Sequence, residues 1–177
     1  MKPYTISKTI SGSRVLLPIQ IEGAERKLLP DALRGNSVVS VSIVESHSLD
    51  RTWFARTLLA SGRCLEFTSS TTEVGNWVDF GTLNIKVCNA PPSIDKKLST
   101  YPLKDFVVKQ VSLLIVEDGG VVIEAGIVLS ESASRELAFI AGEIPGSFSI
   151  LLPGHVGDLD LQFPLDRYRR VEFKEEI

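Results

Sequence analysis

The sequence predicts an α+β protein: a mainly antiparallel β-sheet with two short amphipathic helices, set out as two strand–helix–strand halves of similar pattern. Three observations lead there. Residues 106–129 are two strongly apolar segments joined by Glu117-Asp118-Gly119-Gly120, a turn able to take the positive φ values of a tight β-hairpin. Two serine-led windows, starting near Ser46 and near Ser130, carry apolar residues at helical spacing. Sliding the chain on itself by 84 positions matches Ile43-Val44, Ser46, Ser48, Arg51 and Gly62 with identical residues, which suggests a duplication around a pseudo-twofold axis. Generic cap and exit preferences explain the same matches without one.

Taken in order, residues 4–10 alternate and, after Ser11-Gly12-Ser13, pair with residues 14–21 as a first hairpin whose Pro18 marks an edge or a bulge. Residues 27–33 are a strand stub or an irregular loop because Pro30 interrupts them. Residues 38–44 alternate Val39, Val41 and Ile43 against Ser40 and Ser42, as a strand does. The first helix follows: Ser46 or Ser48 caps it, Asp50 suits its dipole, Leu49, Trp53, Phe54, Thr57 and Leu58 share a face, and Gly62 ends it. Strands are expected at 64–68, 77–80 and 83–87, with 69–72 as polar loop.

Residues 89–105 hold Pro91-Pro92, Lys96-Lys97 and Pro102 and follow neither period, so they read as the boundary inside a single domain, 1–177, between halves 1–90 and 103–177. In the central hairpin, pairing Val116 with Val121 sets Leu114 against Ile123, Ser112 against Ala125 and Val108 against Leu129. The opposite face keeps Val111, Leu113, Ile115 and Val122 but admits Lys109, Glu124 and Gly126, so it should be wetter toward the open end. The second helix runs to Ala141 with Leu137, Ile140 and Ala141 inward, and strands at 148–152, 159–163 and 168–173 complete the chain.

Composition narrows the function only coarsely. Hydrophobic residues at 44% and charged ones at 23% are ordinary globular usage. Nineteen basic against twenty-two acidic residues give a net charge of −3, which offers no electrostatic case for nucleic acid or an anionic membrane. The longest early apolar run, 15–21, is far short of the about 20 residues a spanning helix needs. With no signal-peptide pattern and only Cys64 and Cys88, the expected location is a reducing cytoplasm.

Four local runs carry candidate chemistry, each beside a plainer reading. Glu45, His47 and Asp50 place an imidazole between carboxylates, the makings of a hydrolase's general base; equally, Ser48 and Asp50 cap a helix and His47 is solvated. His155, Asp158 and Asp160 offer one nitrogen and two carboxylates for a metal, or form a polar turn. Arg167, Tyr168 and Arg169 can meet a partner, as can Trp77 or Trp53 if exposed, although acidic neighbours offset the arginines. Cys64 and Cys88 read as small buried strand residues rather than nucleophiles or zinc ligands. Gly-x-Gly-x-x-Gly, the P-loop pattern and Gly-x-Ser-x-Gly do not occur, which argues against dinucleotide enzymes, P-loop NTPases and α/β-hydrolases, and no cofactor is expected. The expectation is a non-enzymatic module that binds another, basic protein, as an inhibitor or a toxin-immunity protein does. The alternatives are a small hydrolase or metal-dependent enzyme on the residues just named, or a small-ligand carrier.

Overall fold

The computed structural model describes residues 4–75, 78–93, 97–154 and 157–173, of which 58% lie in strands and 7% in helical turns. A hairpin of β1 (Lys8–Ser11) and β2 (Arg14–Leu17) opens the chain, and β2 passes through Pro18 into β3 (Gln20–Glu22). A 3₁₀ turn (Arg26–Leu28) leads into α1 (Leu29–Leu33), where Pro30 occupies the first turn and so forfeits no helical hydrogen bond. Then come β4 (Ser37–Val44), β5 (Ala55–Leu59), β6 (Cys64–Val74), β7 (Val78–Cys88) and β8 (Leu98–Val107). The second half holds β9 (Gln110–Asp118), β10 (Val121–Ser132), β11 (Arg135–Ala141), β12 (Phe148–Leu151) and β13 (Arg169–Glu172).

Two sheets result. One runs β3-β7-β6-β5-β4-β8; in the other, β10 has β9 and then β13 on one side, with β2 and β11 end to end on the other. The sheets share one core, in which the rings of Phe67 and Phe139 stack 3.8 Å apart across the gap. Leu159, Leu161, Phe163 and Tyr168 cover the opposite face of the β10 sheet. With both faces covered, every residue from Val121 to Ser130 is buried.

The α+β expectation is therefore corrected to a mostly β protein with one short helix among the described residues. Residues 55–59 alternate as a strand, with Ala55, Thr57 and Leu59 buried, and the second expected helix is the β10–β11 hairpin turning at Ala133-Ser134. Nor is either sheet purely antiparallel, because β2 runs parallel to β10 and β3 parallel to β7. Residues 69–72 belong to β6, and the expected strand at 159–163 is reduced to a single bridge between Gly142 and Leu161. Part of the proline-rich stretch is β8, which pairs with β4; Pro102 fits because β8 is an edge strand. The 84-residue offset does fall on corresponding strands, since β10 begins 84 residues after β4 and β12 84 after β6, but each opens a three-stranded meander rather than a strand–helix–strand unit.

The central hairpin forms as expected, with its register two residues tighter. Gly119 and Gly120, at φ +54° and +83°, make a two-residue turn that pairs Asp118 with Val121 and Val116 with Ile123. A bulge between Glu124 and Gly126 then shifts the register, so Val122 and Ile127 both face the shared core despite their odd spacing. Gly126 has no room for a side chain, because a Cβ there would lie 2.7 Å from the Phe139 carbonyl oxygen.

Glu124, expected on a wetter face, is 0% exposed. Its carboxylate accepts three hydrogen bonds: from Arg26 Nη1 at 2.8 Å, from Arg26 Nη2 at 2.6 Å and from the Ile19 backbone N–H at 2.8 Å. Arg26 also lies over the Phe173 ring, 4.9 Å from its centre. Arg26→Met should strand a buried charge and lower the unfolding free energy by about 3–5 kcal/mol. Adding Glu124→Gln should recover most of that loss, since the amide oxygen still accepts the Ile19 N–H. Urea denaturation measures both, and a single variant within about 1 kcal/mol of wild type would contradict the assignment.

Candidate functional site

Residues 45–54 carry the chain from β4 to β5 without regular structure. Ser48 acts as a cap, but of a turn: its Oγ accepts from the Arg51 N–H at 3.2 Å, and its own N–H donates to the Arg51 carbonyl at 3.3 Å. This loop is sewn along β12. Thr52 and Phe148 exchange N–H···O bonds of 2.9 and 2.8 Å, and Ile150 N–H donates to Leu49 O at 2.7 Å. A third segment, 158–161, joins through the buried Ser149, whose Oγ donates to Asp50 O at 2.6 Å and accepts from the Asp160 N–H at 3.1 Å.

The three segments surround a cleft of about 620 Å³. Glu45, His47 and Asp50 line it together with Asp158 and Asp160, so two candidate groups separated by more than a hundred residues share one site. Arg51 and Trp53 complete the wall. His155 and Trp77 fall outside the described residues. An adjoining hollow of about 500 Å³, lined in part by Leu161, Phe163 and Leu165, shares Asp158 and Leu159 with the cleft.

Within the cleft, charge is unevenly matched. Asp160 Oδ2 accepts from Arg51 Nε at 2.6 Å, and this hydrogen bond holds the Arg51 guanidinium above its usual pKa. Neither Glu45 nor Asp158 has an ion-pair partner among the described residues. His47 Nδ1 meets Thr52 Oγ1 at 3.0 Å, and that hydroxyl already donates to the Phe54 carbonyl at 2.9 Å. With that proton committed, Thr52 Oγ1 is placed to accept from His47 Nδ1. The imidazole stands edge-on to the Trp53 indole, ring centres 5.2 Å apart, and Trp53 is 42% exposed.

Among the described residues no group of three His, Cys, Asp or Glu side chains is placed to hold a metal ion. Of the proposed ligands, Asp158 and Asp160 line the cleft, with one oxygen of Asp160 committed to Arg51. The 167–169 run lies elsewhere. Tyr168 packs into the apolar clusters against Phe163, and burial pushes its phenol up to about 12. Arg167 is exposed but bound to Glu117 O at 2.9 Å and Asp118 Oδ1 at 3.1 Å, while Arg169 is exposed on β13. Arg51 and Ser149 were not among the residues expected to form a site. Nothing local marks Ser149, which sits in an ordinary alternating strand and acts only through tertiary contacts.

Fold and site together define a two-sheet β protein with an acidic, tryptophan-bearing cleft at the margin of one sheet. No family model, no curated protein and no solved structure matches the chain.

Ser149→Ala should remove the link between the 45–54 and 158–161 segments and cost about 1–3 kcal/mol, because two backbone groups lose their partner. A lowered urea midpoint together with altered Trp53 emission, recorded in a Trp77→Phe background, is the expected outcome. An unchanged midpoint would show that the hydroxyl does not hold the cleft.

Proposed function

We propose that this chain is a non-enzymatic protein-binding module, in the manner of an inhibitor or a toxin-immunity protein, and that its cleft receives a lysine or arginine side chain of a basic partner. The observation that carries the reading is the pair of carboxylates without ion-pair partners among the described residues, Glu45 and Asp158, lining the same cleft as the exposed indole of Trp53. A cation laid over an indole gains about 0.5–2 kcal/mol, more as water leaves. Carboxylates around it steer the encounter and penalise anionic competitors. The adjoining hollow, with Leu161, Phe163 and Leu165, offers apolar contact to residues flanking that basic side chain.

Pull-down from native lysate, with the bound partner identified and then purified for titration calorimetry, tests this. Wild type should retain a basic protein at one-to-one stoichiometry. Trp53→Ala and the double variant Glu45→Gln/Asp158→Asn should each weaken that complex by about tenfold or more, with affinity falling as salt rises. A partner held equally by all three proteins, or no partner at all, contradicts the reading.

A further inference from the structure

We propose that Cys64 and Cys88 form an intramolecular disulfide across the β6–β7 hairpin when the protein meets a small disulfide such as glutathione disulfide, so that this hairpin carries a reversible redox clasp. The ladder sets the two residues directly opposite each other at the open end of two eleven-residue strands. Residues facing across an antiparallel pair have Cα atoms about 4.5–5.5 Å apart, inside the roughly 4.4–6.8 Å that a disulfide spans. Both side chains leave the face away from the shared core, beside the Glu66–Lys86 pair. The Cα spacing of a facing pair is thus compatible with the bond.

The two thiols differ in access, which gives the reaction an order. Cys88 is half-buried, whereas Cys64 is fully buried. Burial, reinforced by Cys88, pushes the Cys64 thiol up to about 11, and the more accessible Cys88 is the thiol that meets the small disulfide first. The Cys88 thiolate attacks one sulfur of glutathione disulfide, forming a mixed disulfide and releasing one glutathione thiolate, which is protonated. Cys64 Sγ then attacks Cys88 Sγ; its proton passes to the second departing glutathione. Two thiols are oxidised, one glutathione disulfide is reduced, and two glutathione molecules leave. The bond pins the point at which residues 89–93 leave the sheet, where the Pro92 carbonyl accepts a hydrogen bond from Arg56 Nη2 at 2.8 Å.

The test is to incubate the full folded chain with glutathione disulfide, alkylate remaining thiols under denaturing conditions, and map the digest by mass spectrometry. Both free thiols should disappear into a linked Cys64–Cys88 peptide carrying no glutathione, and dithiothreitol should restore them. Cys64→Ser should stop at a stable glutathione adduct on Cys88, while Cys88→Ser should leave Cys64 unmodified in the folded protein. Glutathione retained on the wild-type chain, two thiols still open to alkylation, or a Cys88–Cys88 dimer would each overturn the proposal.

Discussion

One carboxylate settles how a single segment serves two sheets. At Pro18 the chain leaves β10, beside which β2 ran, and heads for β7, beside which β3 runs. Between them the Ile19 N–H is buried with no strand beside it, and a buried donor without a partner costs about 1–3 kcal/mol. Glu124, rising from β10 into the shared core, accepts that N–H and is itself neutralised by a two-pronged contact with Arg26. The other crossing, from β8 to β9, combines both kinds of partner: Val108 bonds to the backbone of Gly35 and Asn36 and Lys109 N–H donates to Ser130 O, while the Val107 N–H donates to the Glu131 carboxylate, which is paired with Arg135.

The cleft follows from what the sheets leave uncovered. β12 is the last strand on its side of the β10 sheet, and its outer edge is closed by residues 49–52 rather than by another strand. An edge so covered cannot template pairing with a second chain, and the loop that covers it is free to present Glu45, His47 and Trp53. Rigid strands with polar side chains on the loops beside them make a common layout for recognition. Here Ser149 transmits the rigidity of β12 to the loop and to residue 160 together.

Legibility in the sequence tracked locality. The 106–129 hairpin was readable because Gly119-Gly120 and its apolar flanks are contiguous, yet the bulge after Glu124 was not, since only packing against Phe139 and Ile140 demands Gly126. The serine signals were chemically right, for Ser48 does accept a free N–H, but a turn uses the same bond as a helix cap. What decides for strand at 55–59 is burial of Ala55, Thr57 and Leu59 against the core, a period of two masked by apolar Leu58. Residues 137–141 are apolar throughout because both faces of β11 are buried, and a run without alternation looks the same in either structure. The parallel pairings of β2 and β3 are wholly non-local. Glu45, His47, Asp50, Asp158 and Asp160 were each noticed, but only the fold could join them.

The central claim, that the Glu124 carboxylate stands in for a neighbouring strand at the crossing, is tested most directly by amide hydrogen exchange at Ile19. The Ile19 amide should exchange as slowly as those of Ile123 and Ile127 in β10, and Glu124→Leu should speed it selectively while the middle of the β9–β10 hairpin stays protected. An Ile19 amide that exchanges in the wild-type protein as fast as the exposed turn at Ala133-Ser134 would contradict the account.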